Sequence, residues 1–209
     1  MIYVIGFLAQ VFFSARILLQ WILSERAKKV ISPAIFWQLS IVGSYLLFVY
    51  GWLRDDFAII LGQIISYYIY IFPMHFDMLL NQYRFHIIGM FIIRTLLLLT
   101  PVAAILYMLK DASAFVDQFF RNEKIPLWLL IYGSMGQIIF TLRFVYQWIY
   151  SKRKDESLLP IGFWVISLLG ALIIVSYAIY RRDPVLILGQ STGLIAYSRN
   201  IYLSRRAGN

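Results

Sequence analysis

Three arginines, Arg16, Arg94 and Arg143, stand inside runs of sequence that are otherwise apolar. An arginine at the centre of a membrane span costs at least ~2.5–3.5 kcal/mol on insertion scales, so its presence asks for a partner. No acidic residue lies near the centre of any of these runs. A guanidinium without a carboxylate suits an incoming phosphate, which it grips through paired N–H···O bonds. Six glutamines, Gln10, Gln20, Gln63, Gln137, Gln147 and Gln190, together with Tyr70, Tyr197 and Asn200, add amides and hydroxyls that can orient a phosphate or a sugar. These twelve residues are the expected substrate-binding set. A competing reading has the arginines bonded to backbone carbonyls or to the glutamines. Arg16 and Arg143 lie about 12 Å from the inner ends of their helices at 1.5 Å per residue, within reach of the interface by snorkelling. For Arg94 that route is harder.

Other chemistries are poorly served. There are no cysteines, hence no thiolate, disulfide or thiolate metal site, and His75 and His86 are the only histidines. Neither a metal nor another cofactor is expected. Asp155, Glu156 and the other acids fall in connections, so no paired carboxylates sit at a useful depth and the chain reads as a non-enzyme. The net charge of +9 comes without a basic run or a nucleic-acid fold signature, so it points to membrane surfaces and not to nucleic acid.

The elements that must position these residues are membrane helices. Apolar residues make up 61% of the 209 positions and charged ones 14%, against about 45–50% and 25% in soluble domains. Runs of about 20 apolar residues, the length of a membrane span, fall at 2–24, 33–53, 57–75, 85–109, 126–150, 159–180 and 184–203. Residues 110–125 read as a surface-lying amphipathic connector or an extramembrane loop. The N-terminus lacks a basic leader, so no cleavable signal peptide is expected.

The chain also repeats itself. Residues 6–74 align without a gap with 133–201, and 22 of the 69 pairs are identical, enough to set the architecture before any local reading. On a helical wheel the shared residues Gly6, Gln10, Phe13, Arg16, Gln20 and Ser24 occupy an arc of roughly 120°. Gly133, Gln137, Phe140, Arg143, Gln147 and Ser151 repeat the stripe. Polar stripes at membrane depth face a bundle interior or a water-filled cavity, although Ser40, Gly43, Gly62 and Gln63 also read as packing residues. Trp37 and Trp164, near helix starts, read as interfacial anchors. Asp56 and Asp183 read as helix N-caps or as partners of Arg54 and Arg181. Pro101 should kink its helix, and Tyr67 and Tyr68 could line a sugar-binding surface.

The expectation is an all-α integral membrane protein with seven transmembrane helices, built as two parallel three-helix repeats (1–75 and 126–209) joined by a linking helix and connector (76–125). Lys and Arg number nine on one side and six on the other, which favours an outside N-terminus and a cytoplasmic C-terminus in a bacterial inner membrane.

The doubled pattern Gly6, Gln10, Arg16, Gln20, Trp21, Ser24, then Ser32, Pro33, Phe36, Trp37, then Arg54, Asp56, Gly62, Gln63 resembles the lipid-A-disaccharide synthase N-terminal domain family. The second copy has Leu159 in place of Ser32. The 3+1+3 plan is similar to that of SWEET and PQ-loop transporters, but Ala34 and Ile161 follow the prolines where that family has glutamine. The resemblance implies work on envelope glycolipids beside membrane glycosyltransferases. The expectation drawn from it is a transporter or flippase for a polyprenyl-phosphate sugar, with a phosphate-bearing glycolipid and membrane lipids as partners. The alternatives are a SWEET-like carrier of free sugar and a non-transporting accessory subunit of a glycosyltransferase.

Overall fold

The computed structural model describes residues 2–27, 34–71, 87–121, 123–154 and 160–207, all helical or in short turns. Helix α1 spans Ile2–Ala27, α2 Ala34–Leu53 and α3 Phe57–Ile71. Helix α4, Ile87–Met108, runs through a single 3-10 turn, Leu109–Asp111, into the short α5, Ala112–Phe119. Helices α6 (Leu127–Lys154), α7 (Ile161–Tyr180) and α8 (Pro184–Ala207) complete the chain. The connector thus contains a helix, capped by Asp111, whose carboxylate accepts the Ala114 N–H at 3.0 Å.

The expectation of seven spans in a 3+1+3 plan is corrected. Among the described residues, five stretches are long and apolar enough to cross a membrane: 2–20, 35–53, 95–119, 127–150 and 161–180. Helix α3 has 15 residues, or about 22 Å at 1.5 Å per residue, short of a hydrocarbon core of about 30 Å. Helix α8 is long enough, with 24 residues, but Ser191, Thr192, Ser198, Arg199, Asn200 and Arg205 make it too polar. The expected segment 72–75 and the start of the linking helix at 85–86 lie outside the described residues. The chain is therefore an all-α, multi-helix, membrane-associated protein.

Two compact units emerge, and they do not coincide with the sequence repeats. One holds residues 1–55 and 63–122; the other holds 56–62 and 123–209. In the first, α1 packs on α2 through Gly43, where a side chain would come within 2.9 Å of the Phe13 ring. In the second, α6 packs on α7 through the equivalent Gly170, where a Cβ would come within 2.7 Å of the Phe140 backbone. Such approach needs a residue without a Cβ, the usual device of close helix crossings in membranes.

The same tight turn closes α2 and α7. Asp55 (φ 52°) and Arg182 (φ 49°) occupy equivalent positions in the left-handed region. This conformation costs non-glycine residues about 1–2 kcal/mol. The next residue caps the following helix, as expected. Asp56 accepts the Ile59 N–H at 3.2 Å, and Asp183 accepts the Val185 and Leu186 N–H groups at 3.0 and 3.1 Å.

Pro101 lies inside α4 and has no N–H to give the Leu97 carbonyl. The Tyr67 hydroxyl donates to that carbonyl instead, at 3.2 Å, and Tyr68 donates to the Leu98 carbonyl at 3.2 Å. The two hydroxyls expected at a sugar surface are therefore committed to the helix that proline interrupts.

Candidate functional site

The doubled stripe builds two aromatic cages, one in each unit, and each encloses an arginine. In the first, the Arg16 guanidinium carbon lies 4.7 Å from the centre of the Phe13 ring, 5.2 Å from Phe36 and 5.4 Å from Tyr70. Its Nη1 donates to Ser40 Oγ at 2.8 Å, and that hydroxyl donates in turn to the Phe36 carbonyl at 2.6 Å. In the second, the Arg143 guanidinium stands over Phe140 at 3.5 Å, Phe144 at 4.6 Å, and Phe163 and Tyr197 at 5.8 Å. Its Nη1 donates to the Tyr197 hydroxyl at 3.2 Å. Ser167 mirrors Ser40, donating to the Phe163 carbonyl at 2.6 Å.

Local structure explains the cages. Phe13 and Arg16 stand three apart on α1, so they share a face, as do Phe140 and Arg143 on α6. Phe36 and Ser40 stand four apart on α2, and the third helix contributes Tyr70. Ring faces carry negative charge and attract a cation, worth about 2 kcal/mol or more when water is excluded. Arg143 is 4% exposed. Among the described residues neither arginine forms an ion pair, and the buried Nε of each lacks an acceptor. Each cage thus stabilises a positive charge without neutralising it.

The other expected residues divide. Tyr70 and Tyr197 join the cages. Gln137 is buried, with its amide packed directly against Gly62 of the first repeat. Gln63 is buried beside Ser44, whose hydroxyl donates to the Gln63 carbonyl at 3.1 Å. Gln10, Gln20, Gln147 and Gln190 are half-buried. Asn200 is not drawn in, since its amide donates to the Ala196 carbonyl one turn back at 2.8 Å. Arg94 lies in α4, but its side chain is outside the described residues, as are His75 and His86. Trp37 is buried against Phe36 and Tyr70, at ring distances of 5.0 and 6.3 Å, and is no interfacial anchor.

Sequence reasoning left Phe13, Phe36, Ser40, Phe140, Phe144 and Phe163 out of the site. All but Phe144 belong to pairs identical between the copies, which was the available signal. It named Arg181 among the arginines that could partner the two aspartates, but missed Tyr177 as a partner of Asp56. That buried carboxylate accepts the Tyr177 hydroxyl at 2.6 Å and lies 3.5 Å from the Arg181 Nε, all within the second unit.

The family model described as "Lipid A Biosynthesis N-terminal domain" matches residues 5–75 and again 132–202, about two thirds of the chain. The chain belongs to this family. It carries the family's domain twice. Lipid-A-disaccharide synthase of Chlamydia pneumoniae is 30% identical over 209 residues, covering 97% of this chain and 33% of that protein. The Chlamydia felis protein of the same name is 29% identical (97% and 33%), and that of Chlamydia trachomatis serovar D is 30% identical (98% and 34%). The chain therefore spans about a third of the length of the curated relatives it matches. No solved structure matches it, and the SWEET-like plan finds no support. The expectations of a transporter or flippase and of a chain apart from any enzyme are overturned, because family members matched along nearly the whole chain are synthases by name. The accessory reading agrees better with them.

Proposed function

We propose that this chain is the membrane-embedded module of an assembly that makes a lipid A disaccharide. In this reading it holds a phosphate-bearing glycolipid at the membrane for glycosyl transfer. The chemistry of transfer belongs to the part of the synthase that lies outside the matched third. The observation that carries the proposal is the alignment of 97% of this chain with proteins named for that synthesis.

The caged arginines fit the task. Arg16 in the first unit and Arg143 in the second each offer a phosphate an N–H that lacks an acceptor within its own cage, and the glutamines of each unit, Gln10, Gln20 and Gln63 in the first and Gln137, Gln147 and Gln190 in the second, orient the headgroup. Tyr70 and Tyr197 each close the cage of their own unit. The module sits in a bacterial inner membrane, with its N-terminus outside and its C-terminus cytoplasmic, beside a membrane glycosyltransferase.

The test compares membrane vesicles that contain the synthase with and without this chain, following disaccharide formation from lipid-linked precursors. Formation slows at least threefold without the chain, and Arg143→Gln slows it similarly. Equal rates in all three preparations would overturn the proposal.

A further inference from the structure

A second cleft opens in the first unit, at the end of α2 and along α5, away from the arginine cages. Its volume of about 730 Å³ falls among small-molecule sites, which run from roughly 300 to 1,000 Å³. We propose that this cleft binds the sugar ring of a glycolipid headgroup, an inference that rests on the glycolipid reading above.

The walls differ in chemistry. One is an aromatic plate: the Trp52 and Tyr107 rings lie 6.2 Å apart and only 33° from parallel. Phe119, which is buried, meets Trp52 edge-on at 6.4 Å and 82° and fixes the plate from behind. Tyr107 is 71% exposed, so the plate is open to a ligand. The other wall carries Lys110, Asp111 and Ser113. Asp111 is held by its cap: one carboxylate oxygen accepts the Ala114 N–H at 3.0 Å and the Ser113 hydroxyl at 2.7 Å. The Asp111 carboxylate brings an acceptor to this wall and Lys110 a donor.

A sugar ring matches both walls, with apolar C–H faces for the rings and hydroxyl edges that need both donors and acceptors. A hydrocarbon chain would leave the polar wall unsatisfied. A phosphate alone would meet the Asp111 charge and leave the plate uncovered. Trp52, next to last in the apolar stretch 35–53, marks headgroup depth, which puts its end of the cleft where a membrane-anchored sugar lies.

The experiment uses the full chain in phosphatidylethanolamine–phosphatidylglycerol nanodiscs. Saturation-transfer NMR measures binding of two probes, free glucosamine and a glucosamine-headed glycolipid. Tyr107→Ala weakens binding at least tenfold without moving the melting temperature. Asp111→Asn, which keeps the cap acceptor, weakens it several-fold. Leu106→Ala, an exposed neighbour, leaves it unchanged. Binding of both probes shows that the ring itself is read, and binding of the glycolipid alone shows that the membrane anchor is needed; either supports the cleft while it depends on Tyr107. Failure of both probes, or equal binding by Tyr107→Ala and the natural chain, overturns it and leaves Trp52 and Tyr107 as interfacial anchors. If that happens while Arg143→Gln still slows disaccharide formation, only the cleft is lost; the reverse pattern removes only the assembly reading.

Discussion

Tyr177 donates its hydroxyl to Asp56 at 2.6 Å, joining positions 121 residues apart. Asp56 opens the third helix of the first repeat, and Tyr177 closes the second helix of the other. The carboxylate is 1% exposed and also caps α3, so three donors or charges offset its removal from water. Tyr177→Phe keeps the ring volume and deletes one donor. A buried acceptor left short of a partner costs about 1–3 kcal/mol, and hydrogen bonds to charged groups stand at the upper end. Thermal denaturation in detergent should show that loss. Asp56→Ala should cost more, because it strands Arg181 as well.

Gly43 and Gly170 are equivalent in sequence but not in what they face. A side chain at Gly170 meets the Phe140 backbone, which cannot yield without moving a helix. At Gly43 it meets the Phe13 ring, which can turn. Gly170→Val should therefore destabilise the chain by about 3 kcal/mol or more, and Gly43→Val by about 1 kcal/mol, within the usual range of overpacking. Paired melting curves check the order. Equal losses would mean that both crossings give way alike.

Tyr67 and Pro101 should be coupled. In the natural chain, Tyr67→Phe leaves the Leu97 carbonyl without its donor, a loss of about 1–3 kcal/mol. Pro101→Ala supplies a backbone N–H to that same carbonyl. In the Pro101→Ala background, Tyr67→Phe should then cost much less, with a coupling of about 1 kcal/mol in a double-mutant cycle. Additive effects would show that the proline leaves no vacancy for the tyrosine to fill.

Arg143→Met separates stability from function. Methionine fills a similar apolar volume against the same rings and removes a buried cation that has no ion-pair partner among the described residues, which offsets the lost ring contacts. The melting temperature should therefore hold, while disaccharide formation in vesicles containing the synthase falls at least threefold. A fall in both would assign Arg143 to the scaffold.

Arg182 holds φ 49° without a glycine. Arg182→Gly removes that strain and should gain up to about 1 kcal/mol, set against the added freedom of the unfolded chain. Asp55→Gly, at the matching position, should gain less. It loses the bond from Gln118 Nε2 at 2.7 Å. Melting temperatures of the two variants give the comparison.

The sequence by itself determined not the number of spans but an all-α chain, the doubled stripe and the aspartates at the starts of α3 and α8. Each follows from local physics: an apolar run long enough to span, a polar residue every three to four positions, and a carboxylate one residue ahead of a helix. The family resemblance was legible too, because spaced residues such as Arg16, Gln20, Trp37 and Asp56 persist in both copies. Function was not legible from side-chain types alone. Buried arginines suit an anion whether it is carried across a membrane or held for an enzyme, and the relatives turned the reading from the first toward the second. Only the tertiary structure decided the partners. A helix wheel gives the direction of a side chain but not the helix that it meets. Crossing geometry closed phenyl rings around Arg16 and Arg143, buried Trp37, and set Tyr177 and Arg181 on Asp56 rather than leaving it a simple cap.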